Sequence, residues 1–231
     1  MVWPLDPHAR PVLMFRWAVF LLAGFFALRQ LVFTADYSDA GGPFRFLTIW
    51  GLLLTFFCAS RMLALSERRS SLTWPRLVML TAVVNGLVVF LYWRLWFQDP
   101  ALVNAREPLP LWVSLYVHGL GAALQWVDAL VIYGAFRRPL QVIAPLFILV
   151  GTYVAWIEFF VAPMNEFPVG RVTEGLPYPF LNHMELPERL VFYAQTAAMG
   201  LAFLAVLSIA AYGVRRWRQS SAANSADNPE R

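Results

Sequence analysis

The chain has 231 residues, of which 59% are hydrophobic and only 14% charged, with a mean hydropathy of +0.57. A soluble domain carries about a quarter charged residues, so the composition excludes an ordinary soluble domain and points to an all-α integral membrane protein. The net charge of +4 does not imply nucleic acid, because the arginines lie beside apolar runs. Cys58, the only cysteine, excludes intrachain disulfides and multi-thiolate metal sites. All 18 basic residues are arginine, a composition that suits a GC-rich genome.

A membrane helix needs about 20 mostly apolar residues. Six runs meet that length in chain order: Pro11–Phe33, Phe46–Leu63, Leu77–Phe97, Leu111–Phe136, Leu140–Val161 and Leu190–Val214. The first holds Arg16 and Arg29 and has no small-residue cleavage site after it, so it reads as a span and not a signal peptide. Pro43, after Gly41-Gly42, and Pro110, before Leu111, suit the first turn of a helix. Pro187 marks the start of the sixth run, and Glu188 suits the positive end of its dipole. Residues 1–218 thus read as one six-helix membrane domain, and the polar segment 219–231 reads as a disordered cytoplasmic tail.

Arginine bias sets the expected orientation. Arg61, Arg68, Arg69 and Arg76 flank the second loop, Arg137 and Arg138 fill the fourth, and Arg215, Arg216 and Arg218 follow the last run. The other three loops hold only Arg45, Arg106, Arg171 and Arg189 and are rich in Asp and Glu. Both termini are therefore expected to be cytoplasmic.

His118 is the lone histidine within the six runs; His8 and His183 fall outside them. An ionisable group at membrane depth is costly and is by default a candidate functional residue, and imidazole suits proton transfer near neutral pH. Counted from Pro43, Thr48 lies roughly 7 Å down its helix at 1.5 Å per residue. Counted from Pro110, His118 lies roughly 12 Å down, within reach of the same layer through tilt. Arg94 and Glu158, near the outer ends of runs three and five, join that layer, and Tyr178, Asn182 and His183 in the last loop can fold over it. Ser114, Gly121, Ala122 and Gln125 share the His118 face and make either a close helix seam or one wall of a narrow cavity. Asp128, about 15 Å deeper on the same helix, reads as a structural partner in the core, with Asn85 as its candidate mate. Read alone, Thr48 is a helix threonine bonded to its own i−4 carbonyl; Glu158 and Arg94 read as a structural ion pair or as groups that snorkel outward.

Three blocks bear a further likeness. Gly41-Gly42-Pro43-Phe44-Arg45-Phe46-Leu47-Thr48, the segment Trp112 to Asp128 with His118 ten residues before an acid, and Tyr178-Pro179-Phe180-Leu181-Asn182-His183 lie in register over most of the chain. In this the sequence resembles the androgen-induced gene family of membrane hydrolases, which cleave fatty acid esters of hydroxy fatty acids, and it reads as a bacterial member of it. The resemblance implies a threonine–histidine catalytic pair, which by motif is Thr48 and His118, and a lipid ester substrate met among membrane lipids, with no cofactor and no nucleic acid. Two departures bear on the substrate: Ile49-Trp50-Gly51-Leu52 follows Thr48 where many bacterial relatives have a polar stretch, and the segment Pro163 to Pro177 is longer. The groups available to orient His118 are Glu158 or Asn182; the oxyanion donor is Arg94 or a backbone N–H. No HExxH, GxSxG or phosphate-binding glycine loop is present. The rival class is a non-enzymatic transporter or scaffold, which predicts polar residues through both halves of the membrane.

Overall fold

The computed structural model describes residues 5–103, 109–165 and 175–226, with side chains as far as Ser221. Arg106 and Arg171, which enter the orientation argument, lie outside the described residues. Among those described there is no β-strand, and six helices are long and apolar enough to cross a membrane. These are α1 (Arg10–Phe33), α2 (Leu47–Ser66), α3 (Pro75–Gln98), α4 (Leu111–Tyr133) and α5 (Pro139–Met164), followed by α6 (Leu186–Ala226). The protein is a multi-pass, all-α membrane protein.

Local chemistry accounts for the helix ends. Pro75 and Pro139 occupy first-turn positions of α3 and α5, where the missing N–H costs nothing. Pro110 immediately precedes α4, as the sequence predicts. Gly134 ends α4 in a left-handed conformation at φ 68, the usual glycine stop. At α6 the Glu188 carboxylate accepts from the Glu185 N–H at 3.0 Å, half of a capping box, so the helix begins four residues before the apolar run does. Its other end differs too: composition predicts an unstructured tail from residue 219, whereas the helix continues to Ala226.

The start of α2 is a correction that matters. Pro43 does not open the helix; it lies in a separate 3₁₀ turn, Gly42–Arg45, and Phe46 then reverts to extended backbone at φ −99, ψ 128. Gly41 and Gly42 both have positive φ, 85 and 46, and a Cβ on either would collide with Val161 or Tyr37. The glycine pair therefore belongs to the turn. Since α2 starts at Leu47, Thr48 is its second residue, in the first turn, and has no preceding helical carbonyl to bond.

α3 is the central helix. Its apolar window is 56% buried, against 22% for α5 and for α6, so α3 side chains meet most of the other spans. Val78, Met79, Ala82, Val83 and Leu87 pack with Met62, Ala129, Leu146 and Leu204 in the main core. The small-residue face of α4 proves to be a seam on α3: Gln125 donates to the Val78 carbonyl at 3.2 Å and Trp126 to the Ala82 carbonyl at 2.9 Å.

At the end of the bundle away from loops one, three and five lies a buried ion pair. Arg16, 1% exposed, meets Asp128 through Nε and Nη2 at 3.0 and 2.7 Å. Its Nη1 donates to the Met62 carbonyl at 3.1 Å and to Ser66 Oγ at 2.9 Å. Asp128 is thus the partner of Arg16 and not of Asn85, which bonds Thr55 at 2.9 Å instead. Removing one member of a buried pair leaves an uncompensated charge, at about 3–5 kcal/mol. Asp128→Ala should therefore lower the thermal unfolding midpoint in detergent sharply, while the apolar double variant Arg16→Met with Asp128→Leu should recover most of the loss. Equal damage in the single and double variants would mean that the charge on Arg16 is not what the single variant strands.

Candidate functional site

Thr48 and His118 meet. Thr48 Oγ1 lies 3.4 Å from His118 Nε2, a long but reachable hydrogen-bond distance for a site without substrate. The threonine projects from the first turn of α2, where N–H groups have no intrahelical acceptor and the helix dipole is positive. The histidine comes from α4 at a break in its regular winding: Tyr116–Leu120 is a π-helical turn, and His118 itself has non-helical backbone at φ −115, ψ 20. Such turns insert a residue and are frequent at functional sites.

Two adjacent residues of α3 hold His118. Trp93 Nε1 donates to the His118 carbonyl at 2.7 Å, satisfying a backbone group that the irregular turn exposes. Tyr92 lies face to face on the imidazole, ring centroids 3.4 Å apart and planes within 3°, and its hydroxyl is bonded to Ser114 Oγ at 2.8 Å. His118 is 4% exposed. Its Nδ1 is buried and has no hydrogen-bond partner among the described residues. A proton on Nδ1 leaves Nε2 as an acceptor, the tautomer in which the Thr48 hydroxyl donates.

Beside the pair is an apolar cavity between α2, α3, α5, α6 and the last loop. Thr48 and Tyr92 line one side, Val150 and Val154 of α5 and Phe192 and Thr196 of α6 the other, and Tyr178, Phe180 and Leu181 cover one end. The YPFL block therefore does fold over the site. The Tyr178 hydroxyl accepts the Leu47 N–H at 3.1 Å, and burial raises the Tyr178 phenol above its ordinary range, which keeps it protonated. Tyr153 donates to the Arg45 carbonyl at 2.8 Å. Two phenols from different elements thus fix the turn and the first helical residues on which Thr48 sits.

A family model fits the whole bundle: FAR-17a/AIG1-like protein, matched over residues 11–211. The chain belongs to the FAR-17a/AIG1-like family. No curated protein and no solved structure matches it. The matched region reaches into all six helices, so the blocks around Thr48, His118 and Tyr178 lie in one FAR-17a/AIG1-like unit.

The remaining groups singled out in the sequence lie elsewhere. Glu158 accepts from Arg189 Nε and Nη2 at 2.9 and 3.1 Å and from the Tyr193 hydroxyl at 2.6 Å. Its salt bridge is therefore to Arg189, not Arg94, and it is not bonded to His118. Asn182 is occupied by its own loop, bonding the Leu176 N–H at 3.0 Å and the Leu176 and Tyr178 carbonyls, so it shapes the cover over the cavity. Arg94 is exposed; two residues on from Tyr92 it points about 200° away around the helix. His183 is exposed as well. Sequence reasoning missed Tyr92 and Trp93, although the depth count that found His118 reaches them: Tyr92 lies roughly 9 Å below the end of α3 at 1.5 Å per residue.

The two partners proposed for Glu158 separate in a stability measurement. Glu158→Ala strands the Arg189 guanidinium and the Tyr193 hydroxyl and should cost about 1–3 kcal/mol. Arg94→Gln should stay within about 0.5 kcal/mol of wild type, as surface changes do. Thermal unfolding of the purified protein in detergent reads both, and an Arg94→Gln loss matching that of Glu158→Ala would contradict the assignment.

Proposed function

We propose that this protein is an intramembrane hydrolase that cleaves lipid esters, of the fatty acid ester type, through an acyl-threonine intermediate. The observation that carries the reading is the Thr48–His118 contact at 3.4 Å on the wall of a covered apolar cavity. A nucleophile within reach of a base is the minimal unit of covalent catalysis, and an apolar cavity suits an acyl chain. The family resemblance supplies the same pair and the same substrate class.

In this mechanism the Thr48 hydroxyl gives its proton to His118 Nε2 as Oγ1 attacks the ester carbonyl carbon. The tetrahedral intermediate collapses, the carbonyl–alkoxy bond breaks, and the proton on Nε2 passes to the departing alkoxide, releasing an alcohol. Water then gives a proton to Nε2 and attacks the acyl-threonine. Its collapse returns that proton to Thr48 and releases the fatty acid. The negative oxygen forms beside the first turn of α2, where the helix dipole favours it; the Leu47 and Ile49 N–H groups there are taken by the Tyr178 hydroxyl and the Phe46 carbonyl, so the Thr48 N–H is the backbone donor this reading uses in place of Arg94.

The transporter or scaffold reading has less support. At the end of the bundle opposite the cavity, Arg16, Asp128, Ser66 and the Met62 carbonyl are bonded to one another, where a path through both halves would leave them to face water. With the arginine-rich loops at that same end, the reading puts both termini in the cytoplasm and the cavity in the outer half of the membrane.

The test is labelling of purified protein by a fluorophosphonate probe together with hydrolysis of a long-chain fatty acid ester. Thr48→Ala should abolish labelling, and His118→Ala should lower turnover by about 10³-fold or more, the scale of losing a member of a nucleophile–base pair. Full labelling and turnover in both variants would rule the mechanism out.

A further inference from the structure

A serine-type triad holds its histidine with a carboxylate, yet neither candidate acid or amide reaches His118: Glu158 is bound to Arg189 and Tyr193, and Asn182 to its own loop. What does touch the imidazole is the flat face of Tyr92, over its full area, at 3.4 Å between centroids. Building on the proposed function, we infer that Tyr92 takes the third position of the site and acts as the residue that positions His118.

Three contacts make the clamp specific. The stack confines the imidazole to one plane, which removes rotation about χ2 except for the flip that exchanges its edges. The Tyr92 hydroxyl is tied to Ser114 Oγ at 2.8 Å, and Ser114 lies one turn before His118 on α4. The tyrosine is thereby anchored to the same helix that carries the ring it holds. Its neighbour Trp93 bonds the His118 carbonyl at 2.7 Å and fixes the irregular backbone from which the imidazole projects. Within this frame Nε2 faces Thr48. An aromatic face also attracts the cationic ring that forms when His118 takes the threonine proton, a task that the carboxylate performs in a triad.

The chemistry separates the ring of Tyr92 from its hydroxyl. Tyr92→Phe keeps the face and loses the Ser114 bond, so ester turnover should stay within about fivefold of wild type, the scale of one hydrogen bond. Tyr92→Leu and Tyr92→Met fill the space without a flat face, and kcat should fall about 10²-fold, the scale of a misplaced catalytic group. KM should change less than kcat: positioning acts on the chemical step and not on uniform binding, while Leu and Met keep an apolar side chain where Tyr92 lines the cavity. Equal loss in Phe and Leu variants would overturn the inference, as would a loss confined to KM, wild-type kcat in Leu and Met, or failure of both to fold.

A second measurement does not depend on turnover. In protein labelled with ¹³C and ¹⁵N at histidine, the His118 ring signal, identified by its absence in His118→Ala, should carry the ring-current shift of a stacked aromatic. Tyr92→Phe should retain that shift, and Tyr92→Leu should lose it. A signal unmoved by Tyr92→Leu would refute the stack. If wild-type protein shows the shift but cleaves no ester and takes no probe, the hydrolase reading fails while the stack itself stands. If wild type is active and Tyr92→Leu equally so, the clamp fails and the hydrolase reading stands.

Discussion

An arginine side chain enclosed by apolar helices must find an acid and carbonyl oxygens inside the protein, because lipid offers neither. Arg16 does so with Asp128, Ser66 and the Met62 carbonyl, and in doing so it fixes where α1, α2 and α4 approach one another. Ser66 extends the connection by donating to the Pro7 carbonyl at 2.6 Å, and His8 Nδ1 lies 3.0 Å from the Ser66 carbonyl. The segment before α1 is thus tied to the end of α2. Helices that cross at this point diverge along their length unless something joins them again. The second junction is the cluster formed by Thr48, His118, Tyr92 and Trp93, contributed by α2, α3 and α4. The ion pair sets the register of α4, and the site lies about 15 Å away along it, ten residues at 1.5 Å each.

At each of those junctions α4 departs from regular α-helix, over Tyr116–Leu120 around His118 and over Val127–Tyr133 around Asp128. Each wide turn carries an extra residue, which rotates everything beyond it relative to an ideal helix. With that adjustment His118 faces α2 and α3 while Asp128 faces α1. A straight helix would place residues ten apart about 80° from each other by its 100° step, and neither partner could be tuned without moving the other. The winding of α4 lets one helix serve an ion pair at one end and the proposed catalytic contact at the other.

The sequence made the six spans legible because an apolar run of membrane length has few other physical explanations, and because Pro110, Pro187 and Glu188 mark helix starts by chemistry that is local. The meeting of Thr48 with His118 was legible only through the resemblance; depth counting placed them in one layer but assigned Thr48 to the wrong turn. The reason is specific: Pro43 suits a helix start, yet the residue that decides is Phe46, whose extended backbone restarts the chain, and nothing in its side chain announces that. Partners across the bundle were less legible. Depth alone puts Glu158 level with Arg94, while Arg189, which lies just inside α6, reaches it from the neighbouring helix. Asn85 suits Asp128 as a polar core residue, yet Arg16 carries the charge that a buried carboxylate requires. Tyr92 and Trp93 were hidden in an aromatic-rich stretch that reads equally well as an interfacial belt.

The use of a tyrosine face beside His118 follows from the place of the site. A carboxylate buried against the ring would bring a second ionisable group into apolar surroundings, with a desolvation cost of several kcal/mol to be offset by further donors. The bundle already meets that demand at Arg16–Asp128 and, nearer the surface, at Glu158–Arg189, each with multiple bonds. Around His118, Trp93 Nε1 is taken by the His118 carbonyl and the Tyr92 hydroxyl is paired with Ser114 Oγ. An aromatic ring holds the plane of the imidazole with no charge to solvate, and its other surroundings form the wall of an apolar cavity. Under the proposed function, admitting an acyl chain and orienting a histidine with a buried acid make opposite demands on the same few residues, and the stack of Tyr92 on His118 is compatible with both.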